Sequence, residues 1–586
     1  MREIRSAKSH LSVLPFLYIA ALCVGCGSSR HEFRKRIEVD FDMADIAEPA
    51  ADPAPQYYDF FDRTVSKQIH QGLDMPRNFR KIAGRPKQSE NVDALGNVPN
   101  SSWFTNRNGK RRMSIEEIKR GPDTGDGPAD GVWTVTRGKT QGVTPGFTVR
   151  DTKGDLYIIK FDPKTNPEMS TGAEVISTKL FYALGYNTPE NRIVFFGADR
   201  LRMDPGAKIS DVLGRKRPMT RADVDDILAR VSRGRGGRFR AVASKFLSGK
   251  PKGPYSYHGT RKDDPNDLIP HEHRRELRGM RLFGAWLNHN DIRRINSLDM
   301  YVEEDGRHYL RHYLIDFGAT LGSASLFPNH PSEGLEYQID HWEAQKSLFT
   351  LGLYKRRWHD ARPVEYETVG YLESELFNPA KWKPNYPNPA FENMTNLDGF
   401  WAAKLVMSFT DAQITAAVEM GALSDPRAAA YLARTLAERR DKIGRHWYGK
   451  VNPIDNFELT GSGTDQTMTF EDLEASAGFE DVAETRYRYR LFHNARKGTR
   501  VVSDQWILDG GTITAPTPEI ELRPVLAAAA RAWEGAGSED DRDRYFYLTI
   551  WTRREGETGW GKTVTVHLYL VDPTTGFEIA AVDREE

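Results

Sequence analysis

Five polar residues stand in an order that could do chemistry. Lys160 interrupts the apolar run LYIIKF, and Glu174 follows in STGAEVISTKLFYALGYN. The stretch LNHNDIRRINSLDM then brings Asp291, Arg293, Arg294 and Asn296 close together, and HYLIDFG ends on Asp316-Phe317-Gly318. A carboxylate can take a proton from a hydroxyl, and an amide oxygen with a second carboxylate can hold a hard cation. An acid directly after the apolar Leu314-Ile315 needs a partner or an ion, because burying a lone charge is costly.

The surrounding patterns say what must position these groups. Residues 131–163 read as strand, Gly-rich turn, strand, tight turn at Lys153-Gly154, and the apolar strand carrying Lys160. Val175, Ile176, Leu180, Phe181 and Leu184 recur at helical spacing, with Gly185 as the stop and Glu174 expected in the first turn. Leu277, Met280, Phe283 and Leu287 predict a buried helix ending where the polar cluster begins. SLDMYVEEDGRHYLRHYLIDFG predicts a hairpin turning at Asp305-Gly306. Taken singly, each residue has a bland alternative. Thr171-x-x-Glu174 is a capping box, Lys160 could be a snorkelling edge lysine, Asp291 and Asn296 could cap turns, and Asp316 could hold a turn. Those alternatives do not explain the order.

That order resembles the protein kinase-like superfamily, nearer to its atypical HipA-type and phosphoinositide-kinase members than to eukaryotic protein kinases. The resemblance runs from about Gly131 to Phe327, with helical material continuing to about residue 450. It implies Lys160 as the phosphate-binding lysine and Glu174 as its helix partner. It implies Asp291 as the catalytic base and Asn296 and Asp316 as magnesium ligands, with ATP or a related nucleotide as donor. Arg293 takes the place near the transferred phosphate, and Gly138, Gly142 and Gly146 are the candidates for a phosphate loop. TRGKTQGVTPG departs from the GxGxxG pattern, and Asn290 stands where an HRD motif has arginine, which argues against control by activation-loop phosphorylation.

The fold class expected is α+β: a two-lobed kinase-like domain over residues 131–453 (N-lobe about 131–200, helical C-lobe about 260–453), then a β-rich module over 454–586. In that module TRYRYRLFHN, RYFYLTIWTRR and TVTVHLYL alternate, and a sandwich-like packing is expected. In the C-lobe, Asp411 and Asp425 are read as N-caps. His271-Glu272-His273 reads as a surface helix start rather than a metal motif, since an HxH on a helix points its histidines apart. RVSRGRGGRFR at 230–240 reads as a solvated loop between the lobes. WKPNYPNPAF at 382–391 reads as a strap across the helical lobe.

Lys+Arg and Asp+Glu both number 82, so no overall field points to nucleic acid. Arg2, Arg5 and Lys8 precede the apolar run Leu11–Gly25, and Gly25 precedes Cys26. This resembles a bacterial lipoprotein signal, with Cys23 where the lipobox usually has Leu, and implies acylation at Cys26. Both cysteines of the chain lie in this segment, so the residues after Cys26 offer none for a disulfide, a thiolate nucleophile or a zinc site. Residues 1–25 are read as the signal, 26–60 as a flexible tether, and 61–130 as an extension packing on a domain. The location expected is the exported side of a bacterial membrane, the outer membrane in a Gram-negative cell. The function expected is a membrane-anchored phosphotransferase using Mg-ATP on a protein, lipid or glycan hydroxyl. The alternative is a non-catalytic envelope scaffold, favoured by the scarcity of ATP expected outside the cytoplasm. The sequence leaves the acceptor, the role of the β module and the oligomeric state open.

Overall fold

A computed structural model describes residues 42–52, 75–139, 144–210, 215–481, 483–493, 496–497, 500–501, 506–514, 518–536 and 541–586. Cys26 and its signal segment, the aromatic run at 57–61 and Gly142 lie outside them.

The first lobe grows from a seven-stranded sheet of order β4-β7-β3-β2-β1-β5-β6. Its strands are β1 (Trp133–Gly138), β2 (Gly146–Arg150), β3 (Leu156–Phe161), β4 (Asn191–Phe196), β5 (Leu201–Ser210), β6 (Lys216–Pro218) and β7 (Phe239–Lys245). Neighbours pair antiparallel except β1 with β5. Period-two alternation puts Tyr157, Ile159 and Phe161 of β3 into the core, and Lys160 on the opposite face. Helix α3 (Met169–Leu184) packs against the sheet, and α4 (Arg221–Ala229) adds Val224, Ile227 and Leu228 to the core. The first lobe thus runs to Lys245 rather than 200. The basic stretch at 230–240 divides: Arg233, Gly236, Gly237 and Arg238 are exposed, as a solvated loop requires, but its end enters strand β7 and Arg240 is buried there.

The second lobe is helical: α5 (Arg275–Leu287), α6 (His341–Phe349), α7 (Pro389–Glu392), α8 (Asn396–Met407), α9 (Asp411–Glu419) and α10 (Pro426–Tyr448). Asp425 caps α10 as expected, but Thr410 rather than Asp411 caps α9, and Asp411 is its first helical residue. Strands β8 (Lys250–Gly253), β9 (Ser297–Glu304) and β10 (Arg307–Leu314) form a sheet of order β10-β9-β8, with Asp305 and Gly306 both at positive φ in the hairpin turn. Trp382 of the expected strap is buried, and its indole N–H donates to Asn288 at 3.0 Å.

Residues before the first lobe pack on it. Helices α1 (Met75–Ile82) and α2 (Ile115–Arg120) belong to this part, and Trp103 and Phe104 join the helical core. Residues 42–52 are not a free tether. The N–H groups of Ile46 and Asp52 donate to His308 and Lys252 carbonyls at 2.8 Å, and Asp42 accepts from Ser102. An unpaired sheet edge supplies acceptors that an extended segment can satisfy.

Beyond α10 the texture changes to β. One sheet has the order β11 (Ile454–Thr460), β12 (Thr467–Asp472), β17 (Glu519–Glu521), and the other β16 (Trp506–Ile513), β13 (Arg486–His493), β18 (Tyr545–Arg553), β19 (Thr563–Asp572), β20 (Gly576–Arg584). Short strands β14 (Arg496–Lys497) and β15 (Arg500–Val501) pair with each other. Helix α11 (Leu473–Ser476) follows β12, and α12 (Arg523–Ala536) packs into the core both sheets share. Val564, Val566, Leu568 and Leu570 of β19 are fully buried there, the face their alternation predicts. Asp455 of this module takes Lys404 and Arg584 at 2.5 Å each, joining it to α8.

Candidate functional site

Three segments remote in sequence meet at the ammonium of Lys160. Its Nζ lies 3.0 Å from Oε1 of Glu174 and 3.0 Å from Oδ1 of Asp316. Strand β3 and helix α3 set the first contact, and the residues after β10 set the second. Asp316 holds a left-handed φ of 63°, uncommon outside glycine, and its side chain is 49% exposed whereas that of Glu174 is 3% exposed. Burial opposes the charge on Lys160, but the two carboxylates outweigh it and raise its pKa. Burial pushes Glu174 up against the pull of Lys160, while Lys160 holds Asp316 below its ordinary value.

The helix beginning differs from the sequence reading. Helix α3 starts at Met169, so Glu174 lies in the second turn, and there is no capping box. The Thr171 hydroxyl and N–H turn instead to Asp162, which also holds Arg240. Glu174 is further fixed by Asn191 at 3.3 Å and by the backbone N–H of Phe317.

The loop after α5 carries the proposed base. Arg439 caps that helix through the carbonyls of Ala285 and Trp286, and Asn288 leaves it at a φ of 48°. Asn296 then donates to the Asp291 carbonyl at 2.8 Å and to its carboxylate at 2.9 Å. Arg293 lies 2.7 Å from the same carboxylate. Arg294 points elsewhere and pairs with Asp52, so it holds the N-terminal segment. The Ile315 N–H donates to the Asn296 carbonyl at 3.0 Å, which fixes the base loop beside Asp316.

Sequence reasoning missed three residues here. Lys139, directly after β1, interacts electrostatically with Lys160, Asp316 and Glu174, and burial chiefly, with Lys160, lowers its pKa to about 8. Its ammonium donates to Thr144. Its place beside Gly138 in the Gly-rich turn was the available signal. Asn191 on β4 and Glu333, which accepts from Asn290, carry no such signal. Burial raises the pKa of Glu333, with Asp291 adding to the effect.

The glycines have packing reasons. A Cβ at Gly138 would meet Ile209 at 2.6 Å, and one at Gly146 would meet the Ile159 carbonyl at 2.2 Å. Of the other motifs, His271 is buried rather than on the surface, its imidazole shared between Asp267 and the Ser256 carbonyl. Among the described residues no group of three or more His, Cys, Asp or Glu could hold a metal. Magnesium in phosphoryl transfer needs only one or two protein carboxylates, since phosphates and water complete its shell. The half-exposed Asp316 carboxylate fits that chemistry, as does Asn296, whose Nδ2 is engaged by Asp291 and leaves the amide oxygen as donor.

The class these observations define is an α+β protein of kinase-like arrangement, with strand lysine, helix glutamate and terminal aspartate meeting in one place and the Asp291–Asn296 loop bonded to the residue before that aspartate. No family model and no curated protein matches the chain. Among solved structures it is similar to the Helicobacter pylori proinflammatory kinase CtkA, at 12% identity over 52% of this chain and 94% of that one, with a TM-score of 0.28. It is also similar to the Golgi casein kinase, at 11% identity over 71% and 96%, with a TM-score of 0.27. The Mn/ADP-bound Golgi casein kinase gives 9% identity over 71% and 94%, with a TM-score of 0.26. At such distance the functional reading rests on the site geometry.

Proposed function

We propose that the chain is a phosphotransferase that binds a magnesium nucleotide and transfers to a hydroxyl acceptor, anchored through Cys26 on the exported side of a bacterial membrane. The observation that carries the reading is Lys160, held 3.0 Å from both Glu174 and Asp316 by three separate segments. A paired, buried ammonium is oriented for phosphate oxygens before any ligand arrives, which removes a reorganisation step from binding. Asp316 and Asn296 are the groups that would hold magnesium, which supplies charge neutralisation on the phosphates. Asp291, steadied by Asn296 and Arg293, accepts the proton of the acceptor hydroxyl. Lys139 adds a second cation on the same side.

The test separates binding from transfer. At about 100 times its Kd, Mg-nucleotide stabilises the protein by about 2.7 kcal/mol through mass action, read as a raised Tm. Asp291→Asn keeps that shift while losing transfer from labelled nucleotide to envelope extracts, by about 100-fold or more. Asp316→Asn loses both. A wild-type protein with neither a magnesium-dependent shift nor transfer from common nucleoside triphosphates would sink the proposal. A shift without transfer would return the fold to a binding scaffold.

A further inference from the structure

Two separate segments expose large apolar side chains. Met75, Phe79 and Ile82 share one face of α1 by their spacing, and Ile82 is 84% exposed. Helix α6 buries none of its residues, and Trp342, Leu348 and Phe349 on it continue into Leu351 and Leu353, with Leu351 90% exposed. Folded proteins seldom leave such a cluster to water without a use for it.

The two segments spring from neighbouring points. Arg77 of α1 pairs with Glu392 at 3.4 Å, and Glu392 accepts from the Tyr337 hydroxyl at 3.0 Å. Tyr337 in turn donates its backbone N–H at 3.4 Å to Asp340, the N-cap of α6. Both segments also carry cations beside the apolar groups. Arg80 and Arg85 are exposed around α1, and Arg357 is exposed after α6, where the neighbouring Lys355 is already paired with Asp360 at 2.5 Å. The Arg357 guanidinium donates to the Leu376 carbonyl, a bond that leaves its charge uncompensated by that partner.

We infer that α1 and the α6–Leu353 segment together form a face that docks on an anionic lipid bilayer. Tryptophan, phenylalanine and leucine flanked by lysine and arginine suit the headgroup boundary, where apolar groups enter the acyl region and cations meet lipid phosphates. Among the described residues no helix is long and apolar enough to cross a membrane. This docking is separate from catalysis and stands whether or not the Lys160 site transfers phosphate.

Both native cysteines fall at positions 23 and 26, which makes single-site labelling clean. The full chain carrying Cys23→Ser and Cys26→Ser is given Leu351→Cys, Ile82→Cys or, as control at an exposed position of α4, Asp226→Cys, each labelled with a polarity-sensitive dye. With phosphatidylglycerol vesicles the dyes at 351 and 82 shift to the blue and are quenched by bilayer-embedded quenchers, and the dye at 226 does not respond. High salt or pure phosphatidylcholine weakens the response. Phe349→Ser, Leu351→Ser and Leu353→Ser combined, read from position 82, lower partitioning by about tenfold or more. Dyes at 351 and 82 that stay in water with vesicles present overturn the proposal. So do dyes already shielded from an aqueous quencher without lipid, which would show the face covered by the chain itself or by a second copy.

Discussion

At His289 the site meets the core. The imidazole is buried against the stacked pair Phe181 and Phe317, with ring centroids 5.8 Å from each, and its Nδ1 has no hydrogen-bond partner among the described residues. Burial lowers its pKa from 6.5 to about 4, with a bond to the Ala319 backbone opposing. A lowered folded-state pKa means the folded protein takes up this proton less readily than the unfolded chain. The stability is complete above pH 6.5 and is lost as pH falls toward 4, by up to about 3 kcal/mol. We expect His289→Leu to flatten that part of the acid limb, measured as urea midpoints between pH 7.5 and 4.5. Parallel pH dependence in variant and wild type would show that other groups set the limb.

At the scale of elements, α3 is fixed at its first turn by a buried cluster. Asp162 at the end of β3 accepts from the Thr171 N–H at 2.8 Å and pairs with Arg240 of β7 at 3.1 Å. Arg240 also donates to the Gly421 carbonyl, tying the first lobe to the second. Removing one member leaves a buried charge uncompensated, so Arg240→Met is expected to cost about 3–5 kcal/mol in chemical denaturation. Adding Asp162→Leu to Arg240→Met should recover a large part of that loss, since the orphaned carboxylate is gone. A single-variant loss below about 1 kcal/mol would mean that water or a shifted neighbour compensates the carboxylate. Because the helix whose first turn holds Thr171 also carries Glu174, Arg240→Met should weaken nucleotide binding as well.

At the scale of the whole molecule, the proposed anchor and the proposed site are separable. Fatty-acid labelling of cells should tag the wild-type protein and not Cys26→Ser, and the substitution should leave the nucleotide-induced Tm shift of purified protein unchanged. Unchanged labelling in the variant would remove the anchor from the reading while leaving the Lys160 site intact. The β module is tied to the body through Asp455, where burial opposes the charge and Lys404 with Arg584 outweighs it to hold the pKa low. Val582 of β20 reaches the Ala94 carbonyl at 2.9 Å, so the module contacts the N-terminal extension as well as α8.

Local patterns were enough for β3, α3, α5, the hairpin at Asp305-Gly306 and the alternation of β19, because periodicity and turn chemistry are written in neighbouring residues. The order of Lys160, Glu174, Asp291, Asn296 and Asp316 was legible for the same reason: each sits within or just after an element whose pattern is local. What the sequence by itself could not supply was pairing across distance. Strands β5, β6 and β7 join the first lobe only because β5 finds β1, β6 finds β5 and β7 finds β3, and nothing in the local pattern at 230–240 names that partner. Thr171 and Glu174 spelled a capping box, but Asp162 offered the threonine a buried carboxylate, and that tertiary bond displaced the local one. Lys139 belongs to the site through electrostatic proximity, and Glu333 through that and its bond from Asn290, and only the folded chain fixes how near such groups lie.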